Sequence, residues 1–325
     1  MKNQYNYNKK LTFAASPLNR EGNIRSDPAQ IKRFFNDKFA KFIPFWNLKV
    51  PIKNKDNQFL IAYIKKNQMK KFHLDPKKAI FLGINGKNPI FVFSINDEIN
   101  KFFENYSNIK YEDLRSISGL ISNADASILA HGRAIIDWNE KNKFCGKCGF
   151  ETTYNEGGNA RKCSNENCNT LHFPRTDPVV IMLVHKEDKC ILGRQSSFPN
   201  GFYSVLAGFM EPAESIEDAV RREVMEEISI KVGDVLYDSS QPWPYPSSLM
   251  IGCFAEAISS KITIDKKEIS EALWVNKSTV QKAVRESSNK NFLDFNESNK
   301  IKSNLRIPPP MAIAYQLLKT WSEEN

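Results

Sequence analysis

Four cysteines, Cys145, Cys148, Cys163 and Cys168, fall within 24 positions of a 325-residue chain, in the stretch FCGKCG…RKCSNENCNTLHFP. A CxxC pair, a gap of 14 residues and a CxxxxC pair make the spacing of a zinc ribbon. Each pair sits on a tight turn, and the two pairs can meet tetrahedrally around one ion. Thiolates suit Zn²⁺, and four of them close its shell, so the expected role is structural and not catalytic. A module this short cannot bury enough apolar surface alone, so the ion is expected to hold it together. A disulfide framework is not expected in a large chain without a secretory signal. Cys190 and Cys253 stand alone in apolar, strand-like runs and read as buried, inert thiols.

Hydrophobic residues make up 41% of the chain and charged ones 26%, which fits a globular protein. There is no run of eighteen apolar residues, so no transmembrane helix is expected. The start, MKNQYNYNKKLTF, lacks the apolar core of a signal peptide. That favours a cytoplasmic location. The net charge of +9, mostly from lysine, is a weak pointer to anionic ligands.

The pattern along the chain predicts three parts. Residues 1–140 read as an N-terminal α+β domain with strands at 59–64, 79–84 and 89–95, an NG turn at 85–86 and helix over 110–140. Its His73 and His131 read as ordinary hydrogen-bonded residues. No chemistry is assigned to this domain, and its expected role is packing or dimerisation. Residues 141–174 are the cysteine module. Residues 175–325 form a third part, with strands at 178–185, 189–195, 249–258 and 271–276, helix at 214–228, a polar loop over 286–304, and a final helix after PPP (308–310).

The helix in the third part carries a conflict. Within GFMEPAESIEDAVRREVMEEISI (208–230), at 100° per residue, Ile216, Ala219 and Val220 lie within about 60° of Glu223, as do Glu226 and Glu227. One face begins apolar and ends as a carboxylate cluster, although like charges at i,i+3 and i,i+4 destabilise a helix. A solvated acidic face would oppose the apolar stripe, whereas these acids continue it. A divalent cation would resolve the conflict.

The same stretch resembles the Nudix box, G-x5-E-x7-R-E-U-x-E-E-x-G-U, with U a large aliphatic residue: Gly208, Glu214, Arg222, Glu223, Val224, Glu226, Glu227 and Ile230 match. Ser229 replaces the family's glycine at the helix exit, where it can shift the cap but removes no ligand. Downstream, SSQPWPYPSSLM (239–250) resembles the SQPWPFPxS signature of the NADH pyrophosphatase subfamily, with Tyr245 for phenylalanine. A zinc ribbon just before the Nudix domain also fits that subfamily. The resemblance implies an α+β Nudix fold, a mixed sheet between helices, covering residues 130–325 well and the first 120 only by position.

The resemblance also implies an activity: metal-dependent hydrolysis of NADH or NAD⁺ to nicotinamide mononucleotide and AMP, and by the same bond cleavage removal of an NAD cap from RNA 5′ ends. It implies Mg²⁺ or Mn²⁺ on Glu223, Glu226, Glu227, Glu268 (from KKEISEALWV) and the Ala207 carbonyl, with one glutamate as general base. Glu214 and Arg222 would brace the loop. Phe173 and Phe209 would stack on the dinucleotide's rings, aided by Gln241, Pro242, Trp243, Pro244, Tyr245, Pro246, Ser247 and Ser248 of a rigid loop and by the backbone near Ala314. A homodimer is implied as well. Rival readings are a Nudix hydrolase of ADP-ribose or a nucleotide sugar, against which SQPWPYP stands, and a zinc-ribbon nucleic-acid-binding protein with a non-catalytic Nudix domain. A disabled domain should have lost one of the box acids, and all are present.

Overall fold

The computed structural model describes residues 11–56, 58–71, 76–106, 109–288 and 305–324. His73 and residues 289–304 of the expected loop lie outside these. The chain divides into two compact units, one of Phe13–Arg175 with Pro244–Ser247, the other of Thr176–Trp243 and Ser248 onward with the N-terminal residues up to Thr12.

The first unit holds strands β1 (Lys41–Trp46), β2 (Val50–Lys55), β3 (Gln58–Ile61), β4 (Ile64–Lys65), β5 (Ile80–Asn85), β6 (Asn88–Ile95) and β7 (Lys110–Glu112). Its helices are α1 (Pro28–Asn36), α2 (Lys66–Lys71), α3 (Asp97–Tyr106), α4 (Leu114–Ile117) and α5 (Asn123–Lys141). A four-stranded sheet runs β4-β1-β6-β5 with β1 and β6 parallel, and a three-stranded sheet runs β3-β2-β7. The near-continuous burial of KFIPFW and NPIFVFSI marks β1 and β6 as central strands covered on both faces. Phe34, Phe35, Phe42, Phe81, Phe91 and Phe93 interlock there, with ring centroids 5.2–5.7 Å apart.

The expected hairpin at Asn85–Gly86 is present, with Asn85 opposite Asn88 and Gly86 at φ +59. The expected strand 59–64 is in fact two. The chain leaves one sheet after Ile61 and enters the other at Ile64, while the Ala62 N–H reaches the Pro51 carbonyl at 2.9 Å. The helical reading of 110–140 holds for α5, but residues 110–112 pair as β7.

The cysteine module belongs to this first unit. Strands β8 (Thr152–Asn155), β9 (Ala160–Cys163) and β10 (Leu171–His172) make a small antiparallel sheet in the order β10-β9-β8. The turn between β8 and β9 lies against β5, where Asn159 Nδ2 donates to the Phe81 carbonyl at 2.7 Å.

The second unit is a mixed sheet between helices. Its strands are β11 (Asp177–Lys186), β12 (Lys189–Arg194), β13 (Leu206–Phe209), β14 (Val232–Trp243), β15 (Ser248–Ala257) and β16 (Glu271–Asn276), and its helices are α6 (Ile216–Ile228), α7 (Lys277–Ser287) and a final helix, Ile313–Glu323. The sheet order is β14-β15-β11-β12-β16, with β13 also on β11 and only β11 and β15 parallel. Alternation along β15 separates the two faces. Ile251, Cys253, Ala255 and Ala257 share a core with Ala219, Val220, Val224 and Ile228 of α6. On the other face, Gly252 leaves room for the final helix, since a Cβ there would stand 2.9 Å from Ile313 Cδ1. Cys190 and Cys253 are fully buried, and burial raises both thiols, Cys253 to about 12. No helix among the described residues is long and apolar enough to cross a membrane.

Ser229 takes the backbone conformation that the missing glycine would take. It caps α6 at φ +57, ψ +32, its N–H on the Met225 carbonyl at 3.0 Å. The left-handed region costs a side-chain-bearing residue roughly 1–2 kcal/mol, and a glycine in the unfolded chain gives back roughly 0.4–1. Ser229→Gly is therefore expected to stabilise the protein by up to about 1.6 kcal/mol, read as a higher urea midpoint at unchanged m. An unchanged or lower midpoint would show that the cap carries no strain.

Candidate metal centres and active site

The ribbon places its four sulfurs as the spacing predicts. The first knuckle closes through Cys145 N–H to the Phe150 carbonyl at 2.7 Å and Gly149 N–H to the Cys145 carbonyl at 2.8 Å, with Gly149 at φ +76. The second closes through Cys168 N–H to the Asn165 carbonyl at 2.9 Å. Cys148 and Cys163 Sγ lie 3.4 Å apart and Cys145 and Cys168 Sγ 3.9 Å, with all four within 4.8 Å of one another and none in a disulfide. Hydrogen bonds from Thr170 draw the Cys168 thiol down to about 6, while burial pushes Cys163 up to about 12. Four thiolates cannot share this volume without a cation, and the donor set fits a metal ion. Two neighbours escaped the sequence reading. Thr170 Oγ1 stands 3.1 Å from Cys168 Sγ, and His172 Nε2 3.2 Å from Cys145 Sγ. They lie two residues apart entering β10, so strand alternation gives them one face.

In the second unit the Nudix-like stretch folds as strand, loop and helix. Ser215 caps α6, its Oγ accepting from Asp218 N–H at 3.1 Å, and Glu217 and Asp218 in the first turn suit the helix dipole. Ala219, Val220, Val224 and Ile228 fix which face meets the sheet, and Glu223 and Glu227 continue that face with 8% and 5% exposure. Glu226 lies outside it and is exposed.

Arg222 is the hub. It grips Glu214 in a two-pronged pair at 2.6 and 2.9 Å, donates to the Phe209 carbonyl at 2.9 Å, and reaches Glu223 Oε1 at 2.8 Å and Glu226 Oε2 at 3.0 Å. Its hydrogen bonds hold the Glu214 carboxyl down to about 2. The expected bracing of the loop by Glu214 and Arg222 is thus present. Gly208 explains its own place in the motif: a Cβ there would sit 1.9–2.2 Å from the Glu223 carboxylate. Ala207 pairs with Ile181 in the sheet just ahead of it.

Glu227 is the strained member. Its Oε2 is buried without a hydrogen-bond partner. Burial first, then the charges of Glu223, Glu268 and Glu226, push its carboxyl up to about 8. Burial also raises Glu223, against the pull of Arg222. The four acids therefore act on one another. They are less tightly drawn than the cysteines, which among the described residues are the one group of candidate ligands closed within 4.8 Å. A buried oxygen with no partner, beside three further carboxylates, fits a divalent cation.

The expected ligand-contact residues divide. Phe209 and Phe173 are exposed, by 61% and 59%, Phe209 in the second unit and Phe173 in the first. The QPWPYP stretch is not simply a loop. Gln241, Pro242 and Trp243 end β14, paired with Met250, Leu249 and Ser248 of β15. Two of the expected contacts already have partners within the fold. The Gln241 side chain is fully buried, donating to the Thr12 and Met311 carbonyls at 3.0 and 2.8 Å and accepting from Ile313 N–H at 2.8 Å, so it clamps the fold. The Tyr245 ring is stacked within the first unit by the guanidinium groups of Arg115 at 4.2 Å and Arg133 at 4.6 Å. Both arginines therefore compete with any base for that ring. Arg133 also donates to the carbonyl of Pro244, itself buried, and the Tyr245–Pro246 bond is cis. Pro246 is exposed, and Ser247 and Ser248 are half-buried. Ala314 is buried in the first turn of the final helix, leaving its backbone as the group a ligand could meet.

The position of Glu227 sets a pH dependence. Between the ordinary carboxylate value of 4.5 and about 8, the folded protein keeps a proton that the unfolded chain has lost. Stability in chelator is therefore expected to fall as pH rises through this window. Glu227→Gln should flatten that slope in urea titrations. An unchanged slope would place the buried proton elsewhere.

Two family models match. The NUDIX domain covers residues 174–295, and the NADH pyrophosphatase-like rudimentary NUDIX domain covers residues 40–138. The chain is 30% identical to a Schizosaccharomyces pombe protein named NAD-capped RNA hydrolase, over 96% of this chain and 93% of that one. It is 45% identical to the human NAD-capped RNA hydrolase NUDT12, over 62% of this chain and 42% of that protein, so it spans less than half of that relative's length. It is 39% identical to the mouse mitochondrial NAD(P)H pyrophosphatase NUDT13, over 65% of this chain and 58% of that protein.

Proposed function

The chain belongs to the Nudix hydrolases that carry an NADH pyrophosphatase-like rudimentary Nudix domain, and from that premise we propose that it hydrolyses the pyrophosphate of NAD(H), as the free dinucleotide and as the 5′ cap of RNA. Water adds at one phosphorus and the P–O–P bridge breaks. The products are nicotinamide mononucleotide and AMP, or nicotinamide mononucleotide and a 5′-phosphorylated RNA.

The observation that carries this reading is the partnerless, buried Oε2 of Glu227 with its carboxyl raised to about 8. Glu223, Glu226, Glu227, Glu268 and the Ala207 carbonyl would hold Mg²⁺ or Mn²⁺, which when bound supplies charge neutralisation and Lewis-acid activation of water. Arg222 keeps Glu223 and Glu226 oriented and anchors the Phe209 carbonyl, so the exposed Phe209 ring is offered from a fixed backbone. An aromatic face of this kind stacks on a flat base with little sequence preference. One of these glutamates is assigned the role of taking the proton from the attacking water, and the buried Glu227 is the one tested below.

Zinc in the four-cysteine site is assigned a structural role. That site and the free thiols suit a reducing compartment such as the cytoplasm. A homodimer would cover exposed apolar side chains such as Phe144, Phe150 and Phe173. Cap removal is supported as a second substrate class by the relatives named NAD-capped RNA hydrolase, and the net charge of +9 is compatible with an RNA tail.

The test is hydrolysis of NADH, NAD⁺, ADP-ribose and 5′-NAD-capped RNA with Mg²⁺ or Mn²⁺, by wild type and Glu227→Gln. Wild type is expected to release nicotinamide mononucleotide. The variant should be slowed at least ~100-fold, about 2.7 kcal/mol. Preference for ADP-ribose would overturn the substrate assignment, and an unimpaired variant would remove Glu227 from the mechanism.

A further inference from the structure

Three residues beyond Glu268, at the first position of β16, both carboxylate oxygens of Glu271 are taken by donors from the same unit. Arg194, the last residue of β12, donates from Nη2 to Glu271 Oε1 at 2.8 Å, and the Tyr203 hydroxyl donates to Oε2. Arg194 also holds the preceding residue through its backbone, its carbonyl accepting from Ser270 N–H and Ser270 Oγ, both at 2.9 Å. The Tyr203 ring is buried and the Arg194 side chain nearly so, while the Glu271 carboxylate they hold is half-exposed.

The other end of this segment is tied to α6. Thr263 N–H donates to the Ile228 carbonyl and Asp265 N–H to the Glu227 carbonyl, each at 3.0 Å. Between the two ties the chain makes one turn. Glu268 and Ile269 N–H both reach the Asp265 carbonyl, at 3.1 and 2.9 Å, and Ile269 is buried in the α6 core. Glu268 thus rides, exposed, on a turn fastened at one end to the backbone of Glu227 and at the other to Arg194 and Tyr203. Its charge is felt at both Glu223 and Glu227. A half-exposed ion pair adds little stability. What the clamp contributes is geometry.

We propose that Arg194, Glu271 and Tyr203 are positioning residues that set where the Glu268 carboxylate stands relative to Glu223 and Glu227, and so tune the divalent-metal site. The inference rests on the assignment of Glu268 as a ligand of that site. Residues that orient a ligand typically cost about 10–100-fold in metal affinity or activity when changed.

The experiment measures Mn²⁺ binding by electron paramagnetic resonance of the free ion, with kcat and KM for NADH, on the full chain with zinc in the ribbon. The variants are Glu271→Gln, Tyr203→Phe, Glu268→Gln and the Glu268→Gln/Glu271→Gln double. Glu271→Gln is expected to weaken Mn²⁺ binding about tenfold and lower kcat with KM unchanged. Tyr203→Phe should act in the same direction by less. In the Glu268→Gln background, Glu271→Gln should add less than about twofold, because its target is already neutral.

If the two glutamine substitutions instead act additively, the clamp does not work through Glu268 and the proposal fails. Should Glu268→Gln impair the enzyme while Glu271→Gln and Tyr203→Phe leave Mn²⁺ binding intact, the clamp alone is wrong. Should Glu268→Gln itself change nothing, the ligand assignment falls and the clamp with it. If Glu271→Gln does not fold, Tyr203→Phe, which removes one hydroxyl, carries the same comparison.

Discussion

Two carboxylates on the core-facing side of a helix are the constraint around which the second unit is arranged. Burying a charge without compensation is costly, and yet Ala219, Val220, Val224 and Ile228 must meet the sheet, which takes Glu223 and Glu227 inward with them. The surroundings answer that cost in parts. Arg222 meets Glu223, and Gly208 gives its carboxylate room. Glu214 keeps Arg222 in place, fixing the loop between β13 and α6. Glu227 receives no such answer, and chemistry can use a group held so far from its ordinary state.

The first unit shows what the same general architecture looks like without that constraint. It has a mixed sheet and a long helix, α5, over an aromatic core, and it matches the rudimentary Nudix model. Among its described residues no acidic cluster faces the sheet, and the one closed ligand group is the ribbon's. Its buried polar residues serve packing: Asn139, Asn159 and Arg161 bond to backbone and to one another at the junction of ribbon and sheet. Fold likeness alone would not have told the two units apart in function, whereas the side chains on one helix face do.

Legibility in the sequence followed the range of the interactions. The ribbon and α6 are local, so their ligand spacing and 3.6-residue period can be read directly. Strands β11, β12, β15 and β16 were readable because their apolar runs are buried. Strand β14 was not: it lies at the sheet's edge, alternates buried and open positions irregularly, and is broken by register shifts between Val232 and Val235 and between Tyr237 and Ser239. The stacking of Tyr245 depends on Arg115 and Arg133, more than a hundred residues earlier, and no local pattern announces it. Glu271 stood in plain view beside Glu268, but its partner Arg194 is 77 positions away. The motif around Gln241 is distinctive in sequence, but the partners of its side chain, 229 positions before it and 70 and 72 after, are not legible there.

The Gln241 clamp bears on how the chain is synthesised and cut. Gln241 joins the Thr12 carbonyl, 229 positions earlier, to the Met311 carbonyl and Ile313 N–H, 70 and 72 positions later. The second unit is therefore discontinuous, and its first segment waits on the ribosome for almost the whole chain to emerge before its acceptor is used. Closing so long a loop is slow rather than costly, since the entropy of closure grows only with the logarithm of length. A fragment cut at the family boundary near residue 174 would keep the box, the sheet and the final helix, yet lack Thr12. One donor of a fully buried amide would then be orphaned, at about 1–3 kcal/mol. The domain as its motif delimits it is thus one hydrogen-bond partner short of the compact unit.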